Sequence, residues 1–326
     1  MPRTTPRTGT TGRPSLGAQA LAADAARRFF VEGRTKVEIA RQLGISRFKV
    51  ARLLTQAQDS GLVQIQVLAP SSLDGELAEA LRAAHGLRAA YVVRTGEESL
   101  AGQRRTVAEF TAGLLEESVT ADDVVGLAWG RTISLLTDAL AADLGCRFVQ
   151  LAGALPRPDV EGSAVDLVRR AAEATRSSAT TFYAPLAVPD AATAEGLRSQ
   201  SGISEALAEL DRLTKAVVSI GAWRPGESTA LDSLGTADQE ALTAAGVVAE
   251  VTGVLVGRDG REVQALADRV IGVTGAQLQA TPDVTAMACG DVRSRAEATA
   301  CVLRSGMVST LVTHASHARA VLQCAP

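Results

Sequence analysis

Aromatic, cysteine and histidine residues are scarce in this chain, and each shortage argues against a class of protein. Of 326 residues, 3% are aromatic, four are cysteine and three are histidine, whereas 46% are hydrophobic. No apolar run reaches the roughly 18 residues that a membrane-spanning helix needs. What remains is the composition of an ordinary globular protein built on alanine, valine and leucine, without a membrane partner. The cysteines are widely spaced and form no C-x-x-C pair, which favours buried free thiols over a zinc site or a disulfide framework: Cys146, Cys289, Cys301 and Cys324.

The histidines do not form a recognisable metal-binding pattern. His314 and His317 are three positions apart and can lie on one face of a helix, but no third ligand is nearby. The pattern favours a solvated helix start over a metal site, and His85 stands alone. No metal and no cofactor are expected.

Charge is distributed unevenly along the chain. Residues 1–60 contain eleven basic and four acidic residues, a net charge of +7, and the remainder has 22 basic and 32 acidic residues, a net charge of −10. A basic head on an acidic body indicates that the head meets a polyanion. Residues 1–17 are rich in Thr, Arg, Pro and Gly without an apolar core. They predict a disordered basic tail rather than a signal peptide, and hence a cytoplasmic protein.

Residues 18–68 show three helical patterns and a short alternating strand over 62–68. The first predicted helix is Ala18–Glu32, and Gly33 ends it. The second, Lys36–Leu43, leads through a tight turn into the third, Arg47–Gln58, which Ser46 is placed to cap. The apolar positions of the second and third helices predict an all-α core: Val37, Ile39, Ala40, Leu43, Val50, Leu53, Leu54 and Ala57.

The outward face of the third predicted helix is basic and amide-rich. A helix that follows another across a Gly-containing turn fits the major groove, where Arg or Lys can bond guanine and Gln can bond adenine. A plain helical hairpin with a solvated charged face has the same spacing, but the +7 head and the basic tail favour double-stranded operator DNA as the partner. The residues predicted to contact DNA are Lys36, Ser46, Arg47, Lys49, Arg52 and Gln56.

Residues 69–75 are predicted to form a linker, and residues 76–326 a second, larger domain. Short β-like runs alternate with helical segments there, which predicts a Rossmann-like α/β domain with a largely parallel sheet. The predicted strands are Ala89–Val93, Val124–Ala128, Phe148–Leu151, Thr180–Tyr183, Ala216–Ile220, Val251–Val256, Val270–Val273, Val284–Ala288 and Thr310–Val312.

The segment EIARQLGISRFKVARLLTQAQDSGLVQIQV, Glu38–Val67, resembles the N-terminal domain of the SorC family of bacterial sugar-responsive transcriptional regulators. The resemblance covers nearly everything after the tail. It implies a large domain similar to glucosamine-6-phosphate deaminase, a sugar or sugar-phosphate effector, and a homo-oligomer, a dimer or typically a tetramer. The other matching pieces, in the order of the family, are VGLAWGRT (Val125–Thr132), VQLAGAL (Val149–Leu155), APLAV (Ala184–Val188), VSIGAW (Val218–Trp223) and ADRVIGV (Ala267–Val273).

An effector pocket is predicted where the strand 124–128 runs into a helix. Ligands of open α/β sheets bind at the carboxyl ends of strands, and a helix N-terminus there offers N–H groups to an anion. Gly130 permits close approach of the backbone, Arg131 supplies a fork that matches phosphate or carboxylate, and Thr132 adds a hydroxyl. A turn that serves geometry alone explains the same residues, but the family resemblance favours ligand contact.

Other strand ends supply further candidates, for each of which a structural salt bridge or a surface role is an equal alternative. Relatives commonly have Gly-x-x-Lys after the strand equivalent to Val284–Ala288, where this chain has arginines instead. Lys215 is the only lysine of the large domain, so covalent capture of an aldehyde sugar is not expected. The acidic candidates suit sugar hydroxyls, and the basic candidates suit phosphate. Together with two glycines at strand ends, the candidates are Gly153, Arg157, Gly221, Glu250, Asp268, Arg269, Arg293 and Arg295.

Three functions fit these patterns. The favoured one is a repressor or activator, not an enzyme, that binds operator DNA and responds to a carbohydrate or sugar phosphate. The alternative is a sugar-phosphate isomerase or deaminase with a nucleic-acid-binding appendage. That chemistry needs a positioned base, and the predicted pocket loops offer no histidine, only Glu250 and Asp268. A constitutive DNA-binding scaffold is disfavoured by the glycine-rich strand ends of the predicted pocket.

Overall fold

The chain divides into two compact units, Met1–Ala69 and Pro70–Pro326. A computed structural model describes residues 16–63, 72–94, 96, 99–155, 163–290 and 292–324. Residues 1–15 of the predicted tail, most of the strand predicted over 62–68 and the start of the 69–75 linker therefore lie outside the described residues. Within the described ranges, no helix combines the length and the apolar character needed to cross a membrane.

The described part of the N-terminal unit consists of three α-helices and a short π-helix around a small apolar core. The first helix starts at Leu16, inside the segment predicted as tail, and its last turn widens into the π-helix. The elements are α1 (Leu16–Ala26), the π-helix (Arg27–Val31), α2 (Lys36–Leu43) and α3 (Arg47–Asp59). The core is formed by Ala22, Ala25, Ala26, Ile39, Ala40, Val50, Leu53, Leu54 and Ala57.

Local hydrogen bonds define where α2 and α3 begin and end. Thr35 Oγ1 accepts from the Glu38 N–H at 3.3 Å, and the Glu38 carboxylate accepts from the Thr35 N–H at 2.8 Å, which is a capping box. Gly44 ends α2 with φ 64°, a conformation that costs glycine least. Ser46 caps α3 as predicted, accepting from the Lys49 N–H at 3.2 Å. The turn between the two helices is therefore encoded locally.

Val37 does not face the core as predicted. It is 55% exposed, whereas Ile39 is fully buried. Residues two apart on a helix point to nearly opposite sides, so the burial of Ile39 turns Val37 outward.

The C-terminal unit is built on a ten-stranded sheet. Its strands are β1 (Ser72–Leu73), β2 (Ala89–Arg94), β3 (Val124–Leu127), β4 (Arg147–Gln150), β5 (Ser178–Thr180), β6 (Lys215–Ala222), β7 (Val247–Val251), β8 (Val254–Gly257), β9 (Asp283–Ala288) and β10 (Thr310–His314). Their order is β1-β2-β10-β9-β6-β3-β4-β5, and β7 and β8 extend from β6. All pairs from β2 to β5 in this order are parallel, whereas β1 and the β7–β8 hairpin pair antiparallel. The predicted α/β class with a largely parallel sheet is confirmed.

Helices connect the parallel strands and cover the sheet. Strand β3 is buried along its whole length, as expected where helices pack on both faces of a parallel sheet. The helices are α4 (Gly75–His85), α5 (Leu100–Ser118), α6 (Arg131–Ala139), α7 (Ala164–Ala174), α8 (Ala191–Arg198), α9 (Ile203–Ala208), α10 (Thr229–Ser233), α11 (Thr236–Ala244), α12 (Gly275–Ala280), α13 (Arg293–Arg304) and α14 (Ala315–Leu322), with 3₁₀ turns at Glu209–Arg212 and Gln264–Arg269.

Three predicted strands differ from the structure. The run Val251–Val256 is interrupted by Thr252 and Gly253, whose φ angles of 51° and 90° form the tip of the β7–β8 hairpin. The run Val270–Val273 makes only isolated bridges, although Ile271 is fully buried. The strand predicted over Thr180–Tyr183 ends at Thr180. Apolar runs indicate burial, and burial does not require pairing in a sheet.

The histidines near the C-terminus are core residues and not a solvated helix start. His314 caps α14, and its Nδ1 lies 3.0 Å from Ser316 Oγ. His317 Nε2 lies 3.0 Å from Thr299 Oγ1, and its Nδ1 contacts the backbone carbonyl of Gly290. Both rings are buried. Hydroxyl and backbone groups contact both ring nitrogens of His317 in place of water, and Ser316 contacts Nδ1 of His314. The predicted burial of free thiols is confirmed for Cys146, Cys289 and Cys301. The fourth cysteine, Cys324, is half-buried.

Candidate functional site

A cavity of about 300 Å³ opens at the carboxyl ends of β3, β6 and β9. The parallel arrangement brings the ends of these three neighbouring strands to one edge of the sheet, which is where ligands of such folds bind. Six residues singled out from the sequence line this cavity: Gly130, Arg131, Thr132, Gly221, Glu250 and Arg295. Nine further lining residues are not predicted from the sequence, and those with a polar or sulfur-containing side chain that can meet a ligand include Arg104, Ser219, Glu227, Thr229, Asp232 and Cys289.

The turn from β3 into α6 forms one wall of the cavity. Gly130 precedes α6 with φ 125°, and no side chain caps the first N–H groups of this helix. A Cβ at Gly130 would lie 3.2 Å from Ser219 Oγ, so the two strand ends approach closely. Ser219 in turn donates to the Trp129 carbonyl at 3.2 Å. The wall therefore presents uncapped helix N–H groups to the cavity.

Three arginines from three different helices meet at this wall. Arg104 comes from α5, Arg131 is the first residue of α6, and Arg295 is in the first turn of α13. Burial, followed by the positive charges of Arg131 and Arg295, lowers the pKa of Arg104 to about 10. In the part of the chain that the structure describes, no carboxylate forms an ion pair with any of the three. Among the described residues, no ion pair therefore compensates the positive charge of this wall of the cavity.

A buried carboxylic acid lies elsewhere on the cavity lining. Glu250 on β7 is 4% exposed; it accepts from Ser228 Oγ and from the Gly253 N–H, each at 3.3 Å. Burial raises the pKa of Glu250 to about 7, and these hydrogen bonds offset part of that increase. A side chain on Gly221 would collide with the Glu250 carboxylate, which explains the glycine at this strand position. Near neutral pH this group can accept a hydrogen bond from a hydroxyl or donate one to it.

The loop between β6 and α10 supplies one more carboxylate, Glu227, and α10 itself supplies another, Asp232. Glu227 accepts from Ser294 Oγ at 2.7 Å, which attaches the loop to the first turn of α13. Asp232 accepts from the Gly226 N–H at 3.0 and 3.1 Å through its two oxygens. The Thr229 hydroxyl accepts from the Trp129 indole N–H at 3.1 Å. These contacts hold acceptor groups over the cavity at fixed positions.

Several predicted residues lie away from this cavity. The backbone of Pro185 packs closely against Gly153. Arg269 pairs with Asp238 at 2.6 Å and donates to the Val188 carbonyl, so it stabilises the fold at another place.

Asp268 is exposed in the 3₁₀ turn Gln264–Arg269, which precedes the segment 270–273. The side chain of Arg293 is 87% exposed and pairs with Glu297. Arg157 lies outside the described residues. Lys215 lies at the opposite, amino-terminal end of β6, 3.8 Å from Asp283.

Five of the six predicted DNA-contacting residues belong to α3 or to its N-cap. Ser46, Arg47, Lys49 and Arg52 are exposed, and Gln56 is half-buried. Lys36, at the start of α2, is also exposed, and its ammonium lies 5.6 Å from the centroid of the Phe29 ring.

The cations of the N-terminal unit fall into two groups. Arg27 and Arg28 pair with Asp24, and Arg34 pairs with Glu32. Among the described residues, no ion pair involves the three cations of α3, which remain available to phosphate or base edges.

Comparison with known proteins places this architecture in a family. The profile of the family described as "Putative sugar-binding domain" matches residues 70–323, more than half of the chain. The chain belongs to this family. A similar protein named deoxyribonucleoside regulator, from Bacillus subtilis, is 29% identical over 226 residues, which cover 69% of this chain and 68% of that protein.

Two further similar proteins match nearly the whole chain. The transcriptional regulator LsrR of Klebsiella pneumoniae is 28% identical over 324 residues, 95% of each chain. The full-length sorbitol operon regulator SorC from Klebsiella pneumoniae superposes with a TM-score of 0.70 at 20% identity and covers 94% of this chain and 99% of that one. The expected relationship to SorC-type regulators is confirmed.

Proposed function

We propose that the chain is a DNA-binding transcriptional regulator, with no enzymatic activity, whose C-terminal unit binds a phosphorylated sugar. The observation that carries the proposal is the convergence of Arg104, Arg131 and Arg295 on the uncapped start of α6. A partly desolvated guanidinium such as that of Arg104 is costly to leave without an anion. A phosphate accepts several hydrogen bonds at once and compensates more than one positive charge.

The rest of the cavity is suited to hydroxyl groups. Glu250, Asp232, Thr229 and Ser219 offer acceptors and donors around a space of about 300 Å³, the lower end of the usual size for small-ligand sites. An apolar ligand would displace water from these polar groups without replacing the hydrogen bonds of that water. A small sugar with a phosphate at one end matches both parts of the lining.

The names of the relatives support the regulatory role. The three proteins compared above are named as a deoxyribonucleoside regulator, the transcriptional regulator LsrR and a sorbitol operon regulator. Helix α3, whose cations form no ion pair among the described residues, is the element that would contact operator DNA. The proposal places the protein in the cytoplasm, as an oligomer that binds paired half-sites.

An enzyme is the second candidate, and Glu250 is the observation that favours it. A carboxyl with a pKa near 7 at the edge of a cavity suits general acid–base catalysis of sugar-phosphate isomerisation. No histidine is among the residues that line this cavity in the described part of the chain. Sugar-phosphate turnover in a coupled assay by the wild-type chain, absent from Glu250→Gln, would establish the enzyme instead of the regulator.

Gel shifts with and without effector test the regulatory proposal. A duplex is first selected from a random pool by the full chain, and the complex is then titrated with pentoses, hexoses and their phosphates. We expect at least one sugar phosphate to change the DNA affinity about tenfold, and its unphosphorylated sugar to have little effect. Specific DNA binding that no member of the panel changes would contradict the effector assignment, and absence of any selected sequence would contradict the DNA assignment.

A further inference from the structure

Phe48 is a large apolar side chain on the outer surface of α3. It is the second residue of that helix and 67% exposed. The other apolar residues of the helix behave differently, since Val50, Leu53 and Leu54 are buried in the core of the N-terminal unit. Phe48 therefore adds little to that core, and its ring is accessible to another molecule.

The position of Phe48 on the helix points it away from the core of the N-terminal unit. Phe48 and Arg52 are four positions apart and therefore share one face, roughly opposite the buried residues. The guanidinium of Arg47 lies 4.9 Å from the centroid of the Phe48 ring, so a neighbouring cation packs against the ring. The ring is thus placed beside the cations that the proposed function assigns to DNA, in the turn of the helix that meets base edges in helix-turn-helix complexes.

The chemistry of the ring limits what it can recognise in the major groove. A phenyl group cannot read the hydrogen-bond donors and acceptors of the base edges. The one apolar group exposed there is the C5-methyl of thymine, which phenylalanine is able to contact. We propose that Phe48 recognises the 5-methyl group of a thymine in each operator half-site; this inference rests on the proposed function of α3 in DNA binding.

Uracil substitution tests the inference, because deoxyuridine lacks only the methyl group. The full wild-type chain selects a duplex from a random pool, and each thymine of that duplex is replaced in turn by deoxyuridine. Removal of one methyl group from the interface should weaken binding about fourfold, from the transfer free energy of one methylene group. Substitution in both half-sites should weaken it about fifteenfold, the product of two such effects.

The decisive comparison is between the wild type and Phe48→Ala. The variant should bind the thymine duplex more weakly and should no longer distinguish thymine from uracil at that position. Phe48→Leu, which keeps an apolar side chain, should retain part of the discrimination. Val31→Ala is the matched control, since Val31 is 79% exposed in the same unit but on the π-helix. It should discriminate like the wild type.

Two results would overturn the inference. One is an equal loss of affinity on uracil substitution in the wild type and in Phe48→Ala, and the other is no uracil-sensitive position at all. A normal circular dichroism spectrum and thermal midpoint of Phe48→Ala would show that the fold is intact, as expected for an exposed side chain. If Arg47→Ala/Arg52→Ala binds DNA normally, the function assigned to α3 fails. If that variant loses binding while Phe48→Ala discriminates normally, the Phe48 inference alone fails.

Discussion

Arg131 is the residue on which the preference for a phosphorylated effector depends most directly. It begins α6 at the cavity, and replacing it with alanine removes charge-assisted hydrogen bonds that a neutral sugar would use less. We expect Arg131→Ala to weaken binding of the phosphorylated effector about ten- to a hundredfold, the usual value of hydrogen bonds to charged groups. Calorimetric titration with each sugar and its phosphate measures the difference.

Arg293→Ala is the control for that experiment. Arg293 is an exposed arginine on α13, two positions from Arg295, but it lies outside the cavity and pairs with Glu297. The variant should bind the effector like the wild type. Equal reductions of affinity in both variants would mean that overall charge, and not the cavity, determines affinity. A lower melting temperature of ligand-free Arg131→Ala would instead indicate a structural role.

Glu250 makes stability depend on pH in a direction unusual for a carboxyl group. Its pKa is about 7 in the folded protein against an ordinary value of 4.5, so the folded state binds more protons between these values. Stability attributable to this group is therefore greatest below pH 4.5 and is lost as pH rises to about 7. Over this pH range the contribution of Glu250 to the free energy of unfolding changes by about 3 kcal/mol, since each pKa unit corresponds to about 1.4 kcal/mol.

Glu250→Gln should remove this contribution to the pH dependence. The glutamine keeps the shape of the side chain and stays neutral at all pH values. The free energy of unfolding of the variant, relative to that of the wild type, should therefore be higher at about pH 8 than at about pH 5.5. Urea unfolding at both pH values gives the two differences in the free energy of unfolding. A wild-type minus variant difference that is the same at both would contradict the raised pKa of Glu250.

At the scale of elements, α3 is the helix on which specific DNA binding should depend. Arg47→Ala/Arg52→Ala should reduce affinity for the selected duplex by about 1–3 kcal/mol for each arginine that bonds a base edge. If the two arginines bond phosphates only, all sequences should weaken alike and the salt dependence should flatten. Gel shifts over a range of salt concentrations separate these cases. Arg27→Ala, whose arginine pairs with Asp24 and Glu32, is the control.

The elements that could be predicted from the sequence are those with local signals. Helix α2 and the start of α3 agree to the residue, because Thr35, Gly44 and Ser46 fix them through bonds within a few positions. The hairpin at Thr252 and Gly253 is not visible in the sequence, because the turn lies within an apolar run and its residues are also buried. The segment 270–273 resembles a strand for a similar reason, since its apolar residues are buried without pairing in the sheet.

From the sequence, the lining of the cavity could be predicted only for residues that come directly after a strand. The turn at Gly130 is visible as a strand that runs into a helix. Arg104 is not, because α5 reaches the cavity through long-range packing: Gln103 Oε1 accepts from the Gly290 N–H at 3.0 Å, 187 positions away. Such a contact has no counterpart in local spacing. Of the two candidate arginines that follow Gly290, Arg295 lines the cavity and Arg293 does not.

At the scale of the whole molecule, the proposed function requires self-association. One helix-turn-helix unit makes too few contacts for a specific site, so such units act as symmetric pairs on half-sites. The full chain should have a mass in light scattering of at least twice 33.7 kDa at micromolar concentration. Residues 70–326, which form a compact unit, should retain most of that association. A monomeric full chain that still selects a specific duplex would contradict this expectation.

Strand β1 lies at the same end of the sheet as the cavity. This strand is the first described element of the C-terminal unit, and it pairs with the last residues of β2, with Ser72 opposite Arg94. The last residues of β2 belong to the carboxyl end of the parallel strands, which is also where the cavity opens. From β2 to β9 the distance is two strand spacings, about 10 Å. A ligand bound in the cavity would therefore lie close to the first strand pair of the C-terminal unit.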